Sequence, residues 1–91
     1  MTSIHIKHHP DEAQLSKQGI KSWPIWEKEV SVFPYHYDEQ EIFYVLEGDV
    51  TVTPEGGTPV HFGKGDLVTM PSGLSCTWNI HQAVRKHYRF G

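Results

Sequence analysis

The chain alternates between short apolar runs and clusters of turn-forming residues. "SIHIKH" (residues 3–8) sets apolar against polar positions with a period of two, which predicts a short strand. "HPDEAQLSKQGI" (9–20) is the one helical segment. Pro10 suits a first turn, Asp11 and Glu12 favour the positive end of the helix dipole, and Gly19 can close the last turn. Everything after Gly19 reads as β. "KSWPIWEKEVSVFPYHY" combines aromatic and β-branched residues with two prolines, whose missing N–H groups confine them to strand starts, edges or bulges. "IFYVLEG" shows little alternation, the pattern of a strand covered on both faces. "DVTVTPEGG" alternates and ends in a turn on Pro54 and Gly56-Gly57. "TPVHF", "LVTMPSG", "LSCTWNI" and "AVRKHYRF" are further strands, with "GKGD" a tight turn between two of them. Short strands at this spacing predict an all-β sandwich or barrel.

Size and charge narrow the function. Ninety-one residues make one domain, 1–91, with its core expected over 23–88. A chain of this length buries only about 60–65% of its unfolded surface. Its aromatic residues, three Trp, four Tyr and four Phe, therefore matter to the core. A net charge of −3 with no basic stripe argues against nucleic acid as a partner. No apolar run is long enough to span a bilayer, so no membrane association is expected. The N-terminal "MTSIHIKHHP" lacks the apolar stretch of a signal peptide, and the single cysteine, Cys76, excludes an internal disulfide. Both fit a cytoplasmic protein. Among the seven histidines, His5, His8, His9, His61 and His81 alternate with polar neighbours and read as solvated positions. Arg85, Lys86 and His87 lie on the last strand, where one of the two phases could reach the barrel mouth; a solvated face is the preferred reading.

Two motifs carry a resemblance. Glu41 is followed by "IFYVLE" and Gly48; Gly65 is followed by "DLVTM" and Pro71-Ser72-Gly73. Together they resemble the two motifs of the cupin superfamily, in order and with a short gap between them. The resemblance runs from about Trp23 to Tyr88 and implies a double-stranded β-helix, or jelly-roll barrel, with one short N-terminal helix. "WPIWEKEVSVFPYHYDEQEIFYVLEGDVTV", "GDLVTMPSGLSCTW" and "VRKHY" look most similar to small single-domain cupins related to ureidoglycine aminohydrolase.

In metal-binding cupins the first motif supplies two His and a Glu, and the second a third His. Carried onto this chain, the Glu falls on Glu41. The two first-motif His positions fall on Tyr35 and Tyr37, or, with one more intervening residue, on Pro34 and His36. The last falls on Cys76. A set of His36, Glu41 and Cys76 could hold a single divalent transition metal, Zn, Mn, Fe or Ni. That requires His36 to point inward, whereas strand parity sets Tyr35, Tyr37 and Glu41 in one phase and His36 in the other, unless a bulge at Asp38-Glu39 intervenes. The plainer reading makes Cys76 a small buried apolar residue and Trp26 and Trp78 core residues.

Glu41 resists a bland reading. A carboxylate leading into an apolar strand is costly to bury unless it is paired. Its partner must be a metal, a cation, a hydroxyl of Tyr35, Tyr37 or Tyr44, or a proton of its own. Three functions follow. The first is binding of a small polar metabolite inside the barrel by Tyr35, Tyr37, Phe43, Trp26 and Trp78. The second, whose reaction type is what the family resemblance implies, is an enzyme of aminohydrolase or isomerase type with Glu41, Cys76 and Tyr37 as reacting groups. The third is a non-catalytic module that pairs with a second copy through its edge strands, monomer and homodimer both being compatible with so small a barrel.

Overall fold

The structure is a computed structural model and describes residues 4–91. The predicted N-terminal strand forms as β1 (His5–His8), and the helix as α1 (Glu12–Gln18). Asp11 caps α1 by accepting from the Gln14 N–H at 2.8 Å, so Pro10 lies just outside the first turn. Gly19, at φ 66°, closes it and leads into a 3-10 turn, Ile20–Ser22. Six strands follow: β2 (Ile25–Lys28), β3 (Ser31–His36), β4 (Glu41–Pro54), β5 (Val60–Gly63), β6 (Asp66–Met70) and β7 (Ser75–Phe90).

These seven antiparallel strands are joined in the order β1-β6-β4-β7-β2, with β3 added to β7 and β5 to β4, a mostly β arrangement consistent with a cupin jelly roll. The two longest strands form the spine. "IFYVLEG" and "DVTVT", read separately in the sequence, are one continuous strand, and so are "LSCTWNI" and "AVRKHYRF". β4 and β7 pair along their length, with register shifts between Val45 and Val50 where the ladder bends. Gly48 sits in that bend at φ 126°, with its backbone so close to β7 that a Cβ would lie 2.8 Å from the Val84 Cα. Pro24 precedes β2 and Pro34 lies in β3, a strand that pairs only with β7, as the missing N–H groups require.

β4 presents two faces. Phe43, Val45, Val50 and Val52 are fully buried in the main core with Phe62, Val68, Met70, Trp78, Ile80 and Val84. Each such side chain contributes roughly 1.5–3 kcal/mol. Ile42 and Tyr44 point the other way, against Leu15, Ile20 and Leu67. The short helix thus covers the outer face of β4, which explains its unbroken run of apolar residues.

Candidate functional site

Glu41 opens β4 at one end of the core and is buried. Its partner is Lys86 on β7, whose Nζ donates to Glu41 Oε2 at 3.0 Å, both side chains being about 5% exposed. This corrects the reading of residues 85–87 as a solvated face. Arg85 is exposed, but Lys86 lies in phase with buried Val84 and turns inward. His87, on the opposite face, is also buried, with Nδ1 at 2.9 Å from the Trp23 carbonyl.

Aromatic rings enclose the Lys86 ammonium. Its Nζ stands 3.9 Å from the centroid of Phe43, 4.8 Å from Trp78 and 4.9 Å from Trp26. Ring faces are negative, so they stabilise a desolvated cation. Burial lowers the Lys86 pKa; the Glu41 carboxylate pulls it back up.

Above the pair lies a cavity of about 190 Å³ walled by Trp26, Phe33, Tyr35, Tyr37, Trp78, Tyr88 and Phe90. It reaches solvent past Tyr35 and Phe90, which are 41% and 42% exposed. Strand parity holds as expected: Tyr35, Tyr37 and Glu41 share one phase and line one space. Tyr37 is held from both sides by its backbone. Its N–H donates to the Leu74 carbonyl at 2.8 Å, and its carbonyl accepts from the Gly73 N–H at 2.6 Å. Burial, and then the nearby Glu41 charge, push its phenol far above the ordinary range, so it stays protonated. Tyr35 is raised in the same direction, first by burial and then by Glu41. The buried Trp78 N–H makes no hydrogen bond within standard geometry, though its dipole slightly favours the ionised forms of Tyr37 and Cys76.

The other expected site residues divide. Trp26 and Trp78 line the cavity and stack edge-to-face at 6.1 Å, so they are both core and wall. Phe43, expected to touch a ligand, does not line the cavity: it is fully buried in the core, with its ring under the Lys86 ammonium. Cys76 is buried in the core, its thiol 3.6 Å from the Tyr35 carbonyl; the residue lies between the core and a separate outer groove shared with His36 and Ser75, and it does not line the cavity above Glu41. His36 is exposed and shares a 2.7 Å hydrogen bond with Ser75. His5, His8, His9, His61 and His81 are exposed as expected, although His8 bonds buried Asp66 at 2.8 Å.

Residues 15–88 match the model of the EutQ-like cupin domain. The chain belongs to that cupin family. A DUF861-family protein from Thermotoga maritima is 45% identical over the whole of both chains, with a TM-score of 0.91. A putative ethanolamine utilization protein Q from Salmonella typhimurium is 29% identical, with a TM-score of 0.65; 72% of this cupin covers 53% of that protein, about half its length. The Clostridium difficile EutQ protein shares the fold at 19% identity and a TM-score of 0.67, over 98% of this chain and 68% of its own. No curated protein matches the chain.

The donors of this cupin do not fit a metal. The Glu41 carboxylate faces an ammonium at 3.0 Å, and that positive charge stands where a dication would have to sit. His36 is turned to solvent by the strand alternation that brings Tyr35 and Tyr37 inward, correcting the set of His36, Glu41 and Cys76. Burial pushes the Cys76 thiol up to about 11, so with no cation beside it the sulfur is protonated. Among the described residues no three His, Cys, Asp or Glu side chains cluster as metal ligands. No described helix is long and apolar enough to cross a membrane.

Proposed function

We propose that this cupin binds a small polar metabolite in the cavity above Glu41 and Lys86. One observation carries the reading: a buried, hydrogen-bonded ion pair lies at the base of an aromatic-walled space open to solvent. Apolar walls with a few converging polar groups are the usual make-up of small-molecule sites. Lys86 can meet an anionic or carbonyl oxygen, Glu41 a donor, and the Tyr37 phenol stays protonated as a further donor. The resemblance read from the motifs, to small cupins related to ureidoglycine aminohydrolase, and the Salmonella relative's description as a putative ethanolamine utilization protein both point to small polar nitrogen compounds, which supports this ligand size and character.

The test is titration of the protein with small amines, carboxylates and carbonyl compounds, followed by intrinsic fluorescence. Trp26 and Trp78 line the cavity and report occupancy. A saturable change in the native protein that disappears in Trp26→Ala, with folding intact, supports the site. No saturable change with any compound class removes it.

A further inference from the structure

We infer that Lys86 captures small aldehydes and ketones as a protonated imine, with Glu41 as the proton carrier. This deepens the small-molecule reading above and rests on it. A lysine that serves only as structural counter-charge has no need to border an accessible space. Here the ammonium that pairs with Glu41 belongs to a residue lining the cavity, while the cavity mouth lies at Tyr35 and Phe90. Desolvated lysines beside apolar walls are the ones that supply a free amine near neutral pH.

The proton path is short. Glu41 Oε2, 3.0 Å from Nζ, takes a proton from the ammonium and leaves a neutral amine. The amine lone pair forms the N–C bond as the carbonyl π pair moves onto oxygen. Glu41 returns its proton to that oxygen, giving a protonated carbinolamine. It then removes a second proton from nitrogen and delivers it to the hydroxyl, which leaves as water while the C=N bond forms. In sum, ammonium and carbonyl become iminium and water, and Glu41 ends as the carboxylate it began. No oxidant, reductant or metal enters the balance. Tyr37, protonated in the same cavity, is the donor available to the carbonyl oxygen. The charge is the same before and after, so the rings of Phe43, Trp26 and Trp78 that stabilise the ammonium serve the iminium equally. Burial lowers the Lys86 pKa and so increases the fraction of free amine; each unit of lowering gives about tenfold more at neutral pH.

The experiment treats the native protein with propanal and cyanoborohydride, which reduces an imine to a stable propyl-lysine, and maps the product by digestion and mass spectrometry. The internal controls are exposed Lys7, Lys17, Lys21 and Lys64 and half-buried Lys28. Lys86 is expected to be labelled first, its propyl product appearing ahead of those of all five controls. Labelling spread over the exposed lysines while Lys86 stays unmodified overturns the inference, and no variant is needed to see it. Parallel fluorescence titration with 1-propanol, which has no carbonyl, separates the two readings. Saturable propanol and propanal signals without Lys86 labelling leave the binding cavity standing and remove the imine. Absence of labelling and of both signals removes both. Lys86→Arg keeps a positive charge opposite Glu41 and is expected to abolish the fast label.

Discussion

The ammonium of Lys86 and the carboxylate of Glu41 are 45 positions apart in the chain and 3.0 Å apart in space. They stand on the two strands that form the spine of the sheet, β4 and β7. Neither could be buried alone, because an unpaired charge in such surroundings costs several kcal/mol.

That dependence can be measured. Glu41→Gln and Lys86→Met each strand one buried partner, and each is expected to destabilise the protein by about 3–5 kcal/mol in chemical denaturation. The double variant is expected to lose much less than the sum, because two neutral side chains of similar size leave no orphaned charge. Single losses that add to within about 0.5 kcal/mol would show the two groups to be uncoupled.

Cys76 gives a pH prediction. Its folded pKa of about 11 lies above the unfolded value of about 9. The folded protein therefore holds this proton more tightly between those values. The stability it contributes is present below pH 9 and is lost as pH rises through 11. Lys86 acts with the opposite sign, since its folded pKa is lowered. Comparison with Cys76→Ala isolates the cysteine: the native protein should lose stability more steeply than the variant between pH 9 and 11. Equal slopes would refute the assignment. At neutral pH, alkylation of native Cys76 should be far slower than after unfolding.

Gly48 is expected to tolerate no side chain. Its φ of 126° disfavours other residues, and an added Cβ would meet the Val84 Cα at 2.8 Å. Moving backbone is required, so Gly48→Ala should cost more than about 2 kcal/mol and lower the melting temperature by several degrees. An unchanged melting temperature would mean that the bend between β4 and β7 is looser than described.

His36 makes the opposite prediction. It is exposed and bonded only to surface partners, Ser75 and Asp38. His36→Ala should change stability by no more than about 0.5 kcal/mol and leave ligand-induced fluorescence unchanged. Elemental analysis of protein purified without a histidine tag or chelator should give the same sub-stoichiometric transition-metal content for native, His36→Ala and Glu41→Gln proteins. A stoichiometric metal lost from either variant would reinstate the ligand set inferred from motif positions.

Much of this is written locally in the chain. Helix α1 follows from Asp11 and Gly19, whose cap and left-handed turn depend on near neighbours. The β character of the rest follows from aromatic and β-branched runs broken by Gly and Pro. The common phase of Tyr35, Tyr37 and Glu41 follows from the two-residue period of a strand; that this phase faces inward was fixed by the fold. The need for a partner at Glu41 was legible too, since burial of a carboxylate demands one.

The identity of that partner was not. "AVRKHYRF" looks like a charged edge because three of its residues are cationic or titratable in a row. The available signal was parity: Lys86 shares the phase of Val84, and an inward Lys on one strand answers an inward Glu on another. Reading it requires the pairing of β4 with β7, a contact between distant segments that periodicity does not specify. The same holds for Cys76, which packs in the core beside Trp78 with its sulfur 3.6 Å from the Tyr35 carbonyl and does not line the cavity above Glu41. Strand period and turn chemistry belong to short stretches of chain, so the sequence alone determined the helix, the β character of the rest, the family likeness and the shared phase of Tyr35, Tyr37 and Glu41. Which charges meet depends on register across 45 residues, and only the folded sheet decided that Glu41 faces the amine of Lys86.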